Sequence, residues 1–389
     1  MKEKMPIRPA AAAFLLMMAM AITTSALSFF VSPVCADLGL GRGSFTVYYS
    51  LMTAAGAFST SFLGSYMNKR GVRSIVLVSG IWVCCGLNLF SMVDQLWLFY
   101  LVGGAMGFFG TSCVNLCANV AVQQSYSSAQ ASGVMGVVMA GSGVGGMIFS
   151  VVVPNVIEGF GWRLGYRFLG VCWLVLAMSA FLILGKRDNS GSGSGRKAIA
   201  MEGMTRAEAL RSPKLYLLMV TIMILAACCG IQQQLPSLLE DMEFSTAQVS
   251  LMISVMTAGL AVGKIFQGIL SSKIGIVKGV YVMVVLFALG FLMMLSPALV
   301  YPGLVALAFG MGVVTTLLPI VSRFVFGSRD YASIWSMLAT ASSVGSFIAS
   351  PVWGMVYDMF GSYTPGLIAA PVLLAGALVV LMRVFREKR

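Results

Sequence analysis

Twelve nearly uncharged runs of about 20 residues or more follow one another along this chain, each long enough to cross roughly 30 Å of hydrocarbon as a helix. They fall near residues 10–34, 44–66, 74–93, 96–121, 131–157, 165–185, 214–236, 246–271, 277–296, 298–322, 331–357 and 364–382. A length of 389 residues would suit two or three soluble domains, but 59% apolar and 10% charged residues exclude that reading. Lys2, Lys4 and Arg8 precede the first run and Val34-Cys35-Ala36 imitates a cleavage site. The run is nevertheless longer than the roughly 7–15 residues of a secretory signal core, so it is expected to remain as a span.

The ends of these runs repeat. Ser50, Met52-Thr53-Ala54, Gly64, Lys69 and Gly71 recur 204 positions later as Ser254, Met256-Thr257-Ala258, Gly268, Lys273 and Gly275. Ser142, Val144-Gly145, Ser150, Val152, Phe160 and Gly161 recur 200 positions later as Ser342, Val344-Gly345, Ser350, Val352, Phe360 and Gly361. A duplicated helical bundle buries a cavity between its halves, which is the architecture of a secondary transporter. The expected fold is therefore an all-α membrane protein with twelve transmembrane helices in two pseudo-symmetric six-helix bundles. The expected boundaries are 1–185 for the first bundle, 186–213 for a cytoplasmic linker and 214–389 for the second bundle. Ser190-Gly191-Ser192-Gly193-Ser194-Gly195 gives the linker the composition of a flexible tether. At its far end Thr205 caps a helix-forming run that stops at Pro213, which predicts a short interfacial helix.

Of 25 basic residues, only Arg42, Arg163, Arg167 and Lys264 lie outside the tails and loops of one face. The positive-inside rule then predicts a cell-membrane protein with both termini cytoplasmic. The formal charge of +12 reflects this topology and contact with membrane lipid, not nucleic acid. The eight cysteines lie in or beside spans and the chain has no histidine, so neither a metal site nor a histidine-assisted nucleophile is expected. Gly141-Ser142-Gly143-Val144-Gly145-Gly146 imitates a nucleotide-binding fingerprint, but it sits inside an apolar span with no preceding strand. Neither enzymatic activity nor a cofactor is expected.

The loop after the second span reads Gly64-Ser65-Tyr66-Met67-Asn68-Lys69-Arg70-Gly71-Val72-Arg73, and its partner after the eighth span reads Gly268-Ile269-Leu270-Ser271-Ser272-Lys273-Ile274-Gly275. With twelve spans and a central loop, this pair resembles the major facilitator superfamily over essentially the whole chain. Asn68 and Ser272 replace the acid of the family motif, which implies a weaker cytoplasmic latch. Gly64, Asn68, Lys69, Gly71, Arg73, Gly268, Lys273 and Gly275 are the expected gating residues, with the glycines turning the chain tightly between helix ends. Gly161-Trp162-Arg163, the run Met204-Thr205 to Ser212-Pro213, and a cation four residues before Gly268 resemble the oxalate/formate antiporter and monocarboxylate porter branch.

That cation is Lys264, the one ionisable group well inside an apolar span, where insertion costs about 2.5–3.5 kcal/mol. Its simplest alternative is a side chain snorkelling to the headgroups, since Gly268 is only one turn away. The resemblance implies instead a counter-ion for a carboxylate. One ammonium balances one negative charge, and a dianion would leave a second unpaired in low dielectric. Arg323, at the end of the tenth span, is either a second partner or a topological residue. Leu260 occupies the position where proton-coupled relatives carry an acid.

Asn115 and Asn119 share a face one turn apart, Gln232-Gln233-Gln234 interrupts the seventh span, and Ser342 lies on the eleventh. With Lys264, the residues Asn115, Asn119, Gln233 and Ser342 form the expected substrate site, although interhelical hydrogen bonds would account for each polar group equally. The expected function is secondary transport of a small monovalent organic anion, a monocarboxylate such as formate, lactate or pyruvate. Alternating access would proceed as proton symport or exchange for a counter-anion, in a monomer. Efflux of hydrophobic compounds, suggested by 28 methionines, and a non-transporting membrane sensor remain as alternatives.

Overall fold

A segment in hydrocarbon must satisfy its backbone within itself, and helices make up nearly all of the computed structural model, which describes residues 7–70, 72–111, 114, 117, 118, 121, 122, 128–184, 203–327 and 329–386. The first half contains α1 (Ile7–Thr24), a 3-10 turn over Ala26–Phe30, α2 (Val31–Leu38), α3 (Arg42–Arg70), α4 (Val72–Phe90), α5 (Leu96–Met106) running into a π-helical turn over Gly107–Thr111, and α6 (Ser128–Leu184). The second contains α7 (Arg206–Arg211), α8 (Pro213–Cys229), a 3-10 turn over Gly230–Gln233, α9 (Leu235–Asp241), α10 (Thr246–Ile274), α11 (Ile276–Met293), α12 (Val300–Phe326), α13 (Tyr331–Phe360) and α14 (Thr364–Arg386).

Among the described residues, eight stretches are long and apolar enough to cross a membrane, and Leu96–Gly110 is a shorter apolar helix. One of the eight, Val137–Leu184, holds two predicted spans, because Gly161 breaks α6 with φ 79° and ψ 162°. The second and eleventh predicted spans lie on α3 and α13.

The duplication extends to backbone detail. α3 and α10 are both 29 residues long, and they begin and end 204 positions apart. Just before them, Gly39 caps α2 in the left-handed region at φ 63°, and Glu243, 204 positions on, adopts φ 66°. Glu243 is the one described non-glycine residue with positive φ. Gly161 and Gly361 also share a positive φ. A Cβ on Gly145 would lie 2.5 Å from the Met18 carbonyl oxygen and 2.9 Å from the Ala21 methyl. One on Gly345 would crowd Met223 O and lie 2.9 Å from Ala226 Cβ. The same small-residue crossing thus joins α1 to α6 and α8 to α13.

The chain divides into two compact units, Met1–Gly193 with Leu235–Ser254, and Ser194–Gln234 with Val255–Arg389. In the first, α6 packs on α1 and α4, and α3 packs on α5. Its aromatic core joins Phe45, Tyr48, Phe90, Phe99 and Tyr166, with Phe30 stacked on Tyr166 at 3.9 Å. In the second, α8 packs on α13 and α14, and α11 on α12 and α14. There Phe291 and Trp353 stack at 5.7 Å, and the Trp353 indole donates to the Ala227 carbonyl.

The short helix after the linker forms as its capping sequence requires: Thr205 accepts from the Glu208 amide, and Glu208 accepts from the Thr205 amide. One expectation needs correcting. Gly64 and Gly268 lie inside α3 and α10, not at turns. Among the described motif glycines only Gly275, at φ 89° and ψ 153°, turns the chain, in a conformation essentially reserved for glycine.

Candidate functional site

Lys264 lies in the second half of α10, and burial along that helix shows which way it faces. Leu251, Val255, Val262, Ile265, Phe266 and Ile269 are exposed and apolar, and they form a lipid-type stripe. At 3.6 residues per turn this stripe is centred about 150° around the helix from Lys264, with Ile265 at its near edge about 100° away. A second side is packed against α12: Gly259 meets Ala308, Gly263 meets Phe309, and Gln267 donates to the Phe309 carbonyl. Lys264 occupies a third side with Ser250, Ile253, Thr257, Gly268 and Ser271, a mostly small and polar face. Ser250, Ile253, Thr257 and Ser271 are buried, whereas Lys264 and Gly268 are exposed. The lysine therefore does not share the side that meets lipid. Among the described residues no carboxylate pairs with it, since the ion pairs there belong to Arg42 and Arg163.

Thirty residues before Lys264, the glutamine run resolves into different roles. Gln234 is fully buried; its side-chain oxygen accepts from the Tyr363 hydroxyl at 3.0 Å, and its side-chain nitrogen donates to the Ser350 carbonyl at 3.4 Å. It ties the turn after α8 to α13 and α14. Gln233 is 5% exposed in the same turn. Ser342 is half-buried on α13, two turns or about 12 Å along the helix from Ser350. No hydrogen bond among the described residues joins Lys264, Gln233 and Ser342. Asn115, Asn119 and Gly71 lie outside the described residues, as do the side chains of Gly64, Asn68 and Lys69. Lys273 is exposed at the end of α10, and Arg73 stacks its guanidinium 4.2 Å from the Phe181 ring centroid. Thr23, Thr24, Ser28 and Thr315 donate to carbonyls of their own turns, which occupies their hydroxyl protons locally.

Gly161-Trp162-Arg163 forms a clamp. The turn at Gly161 lets the Trp162 indole donate to Asp37 at 3.0 Å, while Arg163 bridges Asp37 and Asp94 and lies 4.1 Å from the Trp162 ring centroid. Arg167 donates to Ser91 beside it. This draws α2, the α4–α5 connection and the middle of α6 together within the first unit.

A second cluster involves residues that composition and periodicity did not single out. Arg42, at the start of α3, makes a two-pronged ion pair with Asp241 at 2.6 and 3.1 Å. Glu240 receives a hydrogen bond from Ser32 and, with Phe29, Pro154, Glu158 and Thr246, lines a cavity of ≈ 250 Å³ in the first unit. Glu240 lies between two membrane spans. Burial holds its carboxyl above the ordinary carboxylate range, and Asp241 adds to the rise while Ser32 and Arg42 oppose it. The available signal was two adjacent acids in a chain with 13 in all, placed just after Pro236.

A family model described as Major Facilitator Superfamily matches residues 11–245 and 230–389. The sialic acid transporter NanX of Escherichia coli is 23% identical over 62% of this chain and 59% of its own length, so the match spans well under two thirds of that relative. Monocarboxylate transporter 12 of Rattus norvegicus is 25% identical over 82% of this chain and 72% of its own. Among solved structures, a bacterial homolog of the human lysosomal transporter Spinster aligns with a TM-score of 0.77 at 17% identity, covering 99% of both chains. The nucleoside transporter NupG aligns with a TM-score of 0.77 at 16% identity, covering 97% of this chain and 98% of its own. These structural likenesses concern the fold.

Proposed function

Because this chain belongs to the Major Facilitator Superfamily, whose members are membrane transporters and not enzymes, we propose that it carries a small monovalent organic anion by alternating access, with Lys264 as the counter-ion. The observation that carries this reading is the position of Lys264: exposed on a small, polar face of α10, turned from the apolar stripe, with no carboxylate paired to it among the described residues. An ammonium held in that way costs free energy when empty and recovers it when an anion arrives. A monocarboxylate supplies one negative charge and leaves none over. Two relatives named for acids, a sialic acid transporter and monocarboxylate transporter 12, support the class of substrate. The distribution of Lys and Arg supports a cytoplasmic position for both termini.

The reading is tested by thermal unfolding of the purified protein with short acids of one and two charges. A ligand bound only to the native state raises the midpoint by mass action, by about 2.7 kcal/mol of stability at a hundred times its dissociation constant. Formate, lactate or pyruvate should raise the midpoint, and oxalate or malonate at equal concentration should do so less. Stabilisation by the dianions alone would reject a single-charge site.

A further inference from the structure

The duplication makes a difference between the halves visible at one end of the first unit. Asp37 and Asp241 are 204 positions apart, as are Gly39 and Glu243, which share a positive φ. Asp37 pairs with Arg163 of its own half. The counterpart of Arg163, 200 positions on, is Tyr363, which gives its hydroxyl to Gln234 instead. Asp241 therefore has no arginine at the matching place in its own half, and it takes Arg42, 199 residues away, as its ion-pair partner. Arg42 is replaced in the second half by Thr246 at the matching position. The pair is well shielded, with the two side chains 13% and 30% exposed.

We infer that Arg42 and Asp241 form a releasable latch between α3 and α9, and that the protonation of Glu240 sets how firmly it holds. The latch joins the first and second halves of the sequence, so unlike the Asp37–Arg163 clamp it must open if α9 is to leave α3. Four groups meet there: Arg42 from α3, Asp241 and Glu240 from α9, and Glu158 from α6 across the cavity, with the Ser32 hydroxyl of α2 on Glu240. With Glu240 ionised, its charge and that of Asp241 share one guanidinium. With Glu240 neutral, its repulsion with Asp241 disappears and the carboxyl sits in its cavity without a charge.

The sign follows from linkage. A carboxyl whose protonated form is favoured in the latched state stabilises that state fully below the ordinary carboxylate range, and this contribution is lost as pH rises through its raised value. Falling pH firms the latch and rising pH loosens it. The device does not depend on which anion is carried, so it can fail while the anion reading stands, and the reverse.

Ser237 provides the reporter: it is fully buried on α9 and its hydroxyl has no hydrogen-bond partner among the described residues, so cysteine fits there at little cost. Ser237→Cys is made in the full chain with the eight native cysteines replaced by serine or alanine. A thiol reagent is applied in detergent, and rates are normalised at each pH to the unfolded chain. Labelling is expected to be roughly tenfold slower at about pH 4 than at about pH 8. Glu240→Gln should make it slow at both pH values, and Arg42→Gln fast at both. Because Arg42→Gln could unfold the unit, the exchanged pair Arg42→Asp with Asp241→Arg is the second arm, and it should restore slow labelling. Glu240→Gln retaining the native pH dependence, or the exchanged pair labelling as fast as Arg42→Gln, would overturn the proposal.

Discussion

Replacing Lys264 by glutamine is expected to lower uptake of short monocarboxylates into proteoliposomes to the level of protein-free vesicles. Losing one partner of a charge pair in a water-poor site typically costs about 2–5 kcal/mol, so binding weakens by roughly 30-fold at least. The fold should survive. Lys264 donates to no group among the described residues, and its removal takes a charge out of an apolar span that paid about 2.5–3.5 kcal/mol to hold it. Lys264→Arg should retain part of the uptake, because the charge persists while its geometry changes. Efflux of hydrophobic compounds through the same fold makes the opposite forecast, since neutral cargo needs no ammonium. Unchanged monocarboxylate uptake by Lys264→Gln would remove the basis for the anion reading.

The second large effect is structural. Gly345→Leu and Gly145→Leu should each cost about 3 kcal/mol or more, because even a Cβ at either position collides with a backbone carbonyl of the facing helix. That carbonyl cannot rotate aside as a side-chain end would. Gly376→Leu on α14 is the control: it is exposed, has nothing within 4 Å, and should be tolerated. Thermal unfolding and monodispersity in detergent distinguish the cases. If one of the glycine pair tolerates leucine as Gly376 does, the repeated crossing of α1 with α6 and α8 with α13 does not hold both halves together.

The two glycines also show what the sequence could disclose. Span length, the repeats at 204 and 200 positions and the capping pattern at Thr205 are local or periodic signals, and they led to the helices, the duplication and the Thr205 cap. The motif glycines were only half legible. Gly275 turns the chain as expected, but Gly268 is an ordinary helical residue, a difference that depends on φ and not on residue type. Gln234 was grouped with possible ligand contacts because a polar residue in an apolar span looks the same whether it faces a ligand or a neighbouring helix. Its bonds to Tyr363 and Ser350 assign it to packing. Arg42 was read as a residue of topology alone. Its pairing with Asp241 spans 199 residues, and the repeats at 204 and 200 positions do not relate those two residues to each other.

The central claim is that the Lys264 ammonium meets the negative charge of the cargo. A density map of the protein bound to a short brominated monocarboxylate tests this most directly, since the bromine marks the ligand without ambiguity. The account predicts the carboxylate in hydrogen-bond contact with Lys264 Nζ, on the face of α10 that carries Thr257 and Gly268. A ligand bound elsewhere, with that nitrogen extended among lipid phosphates, would contradict it.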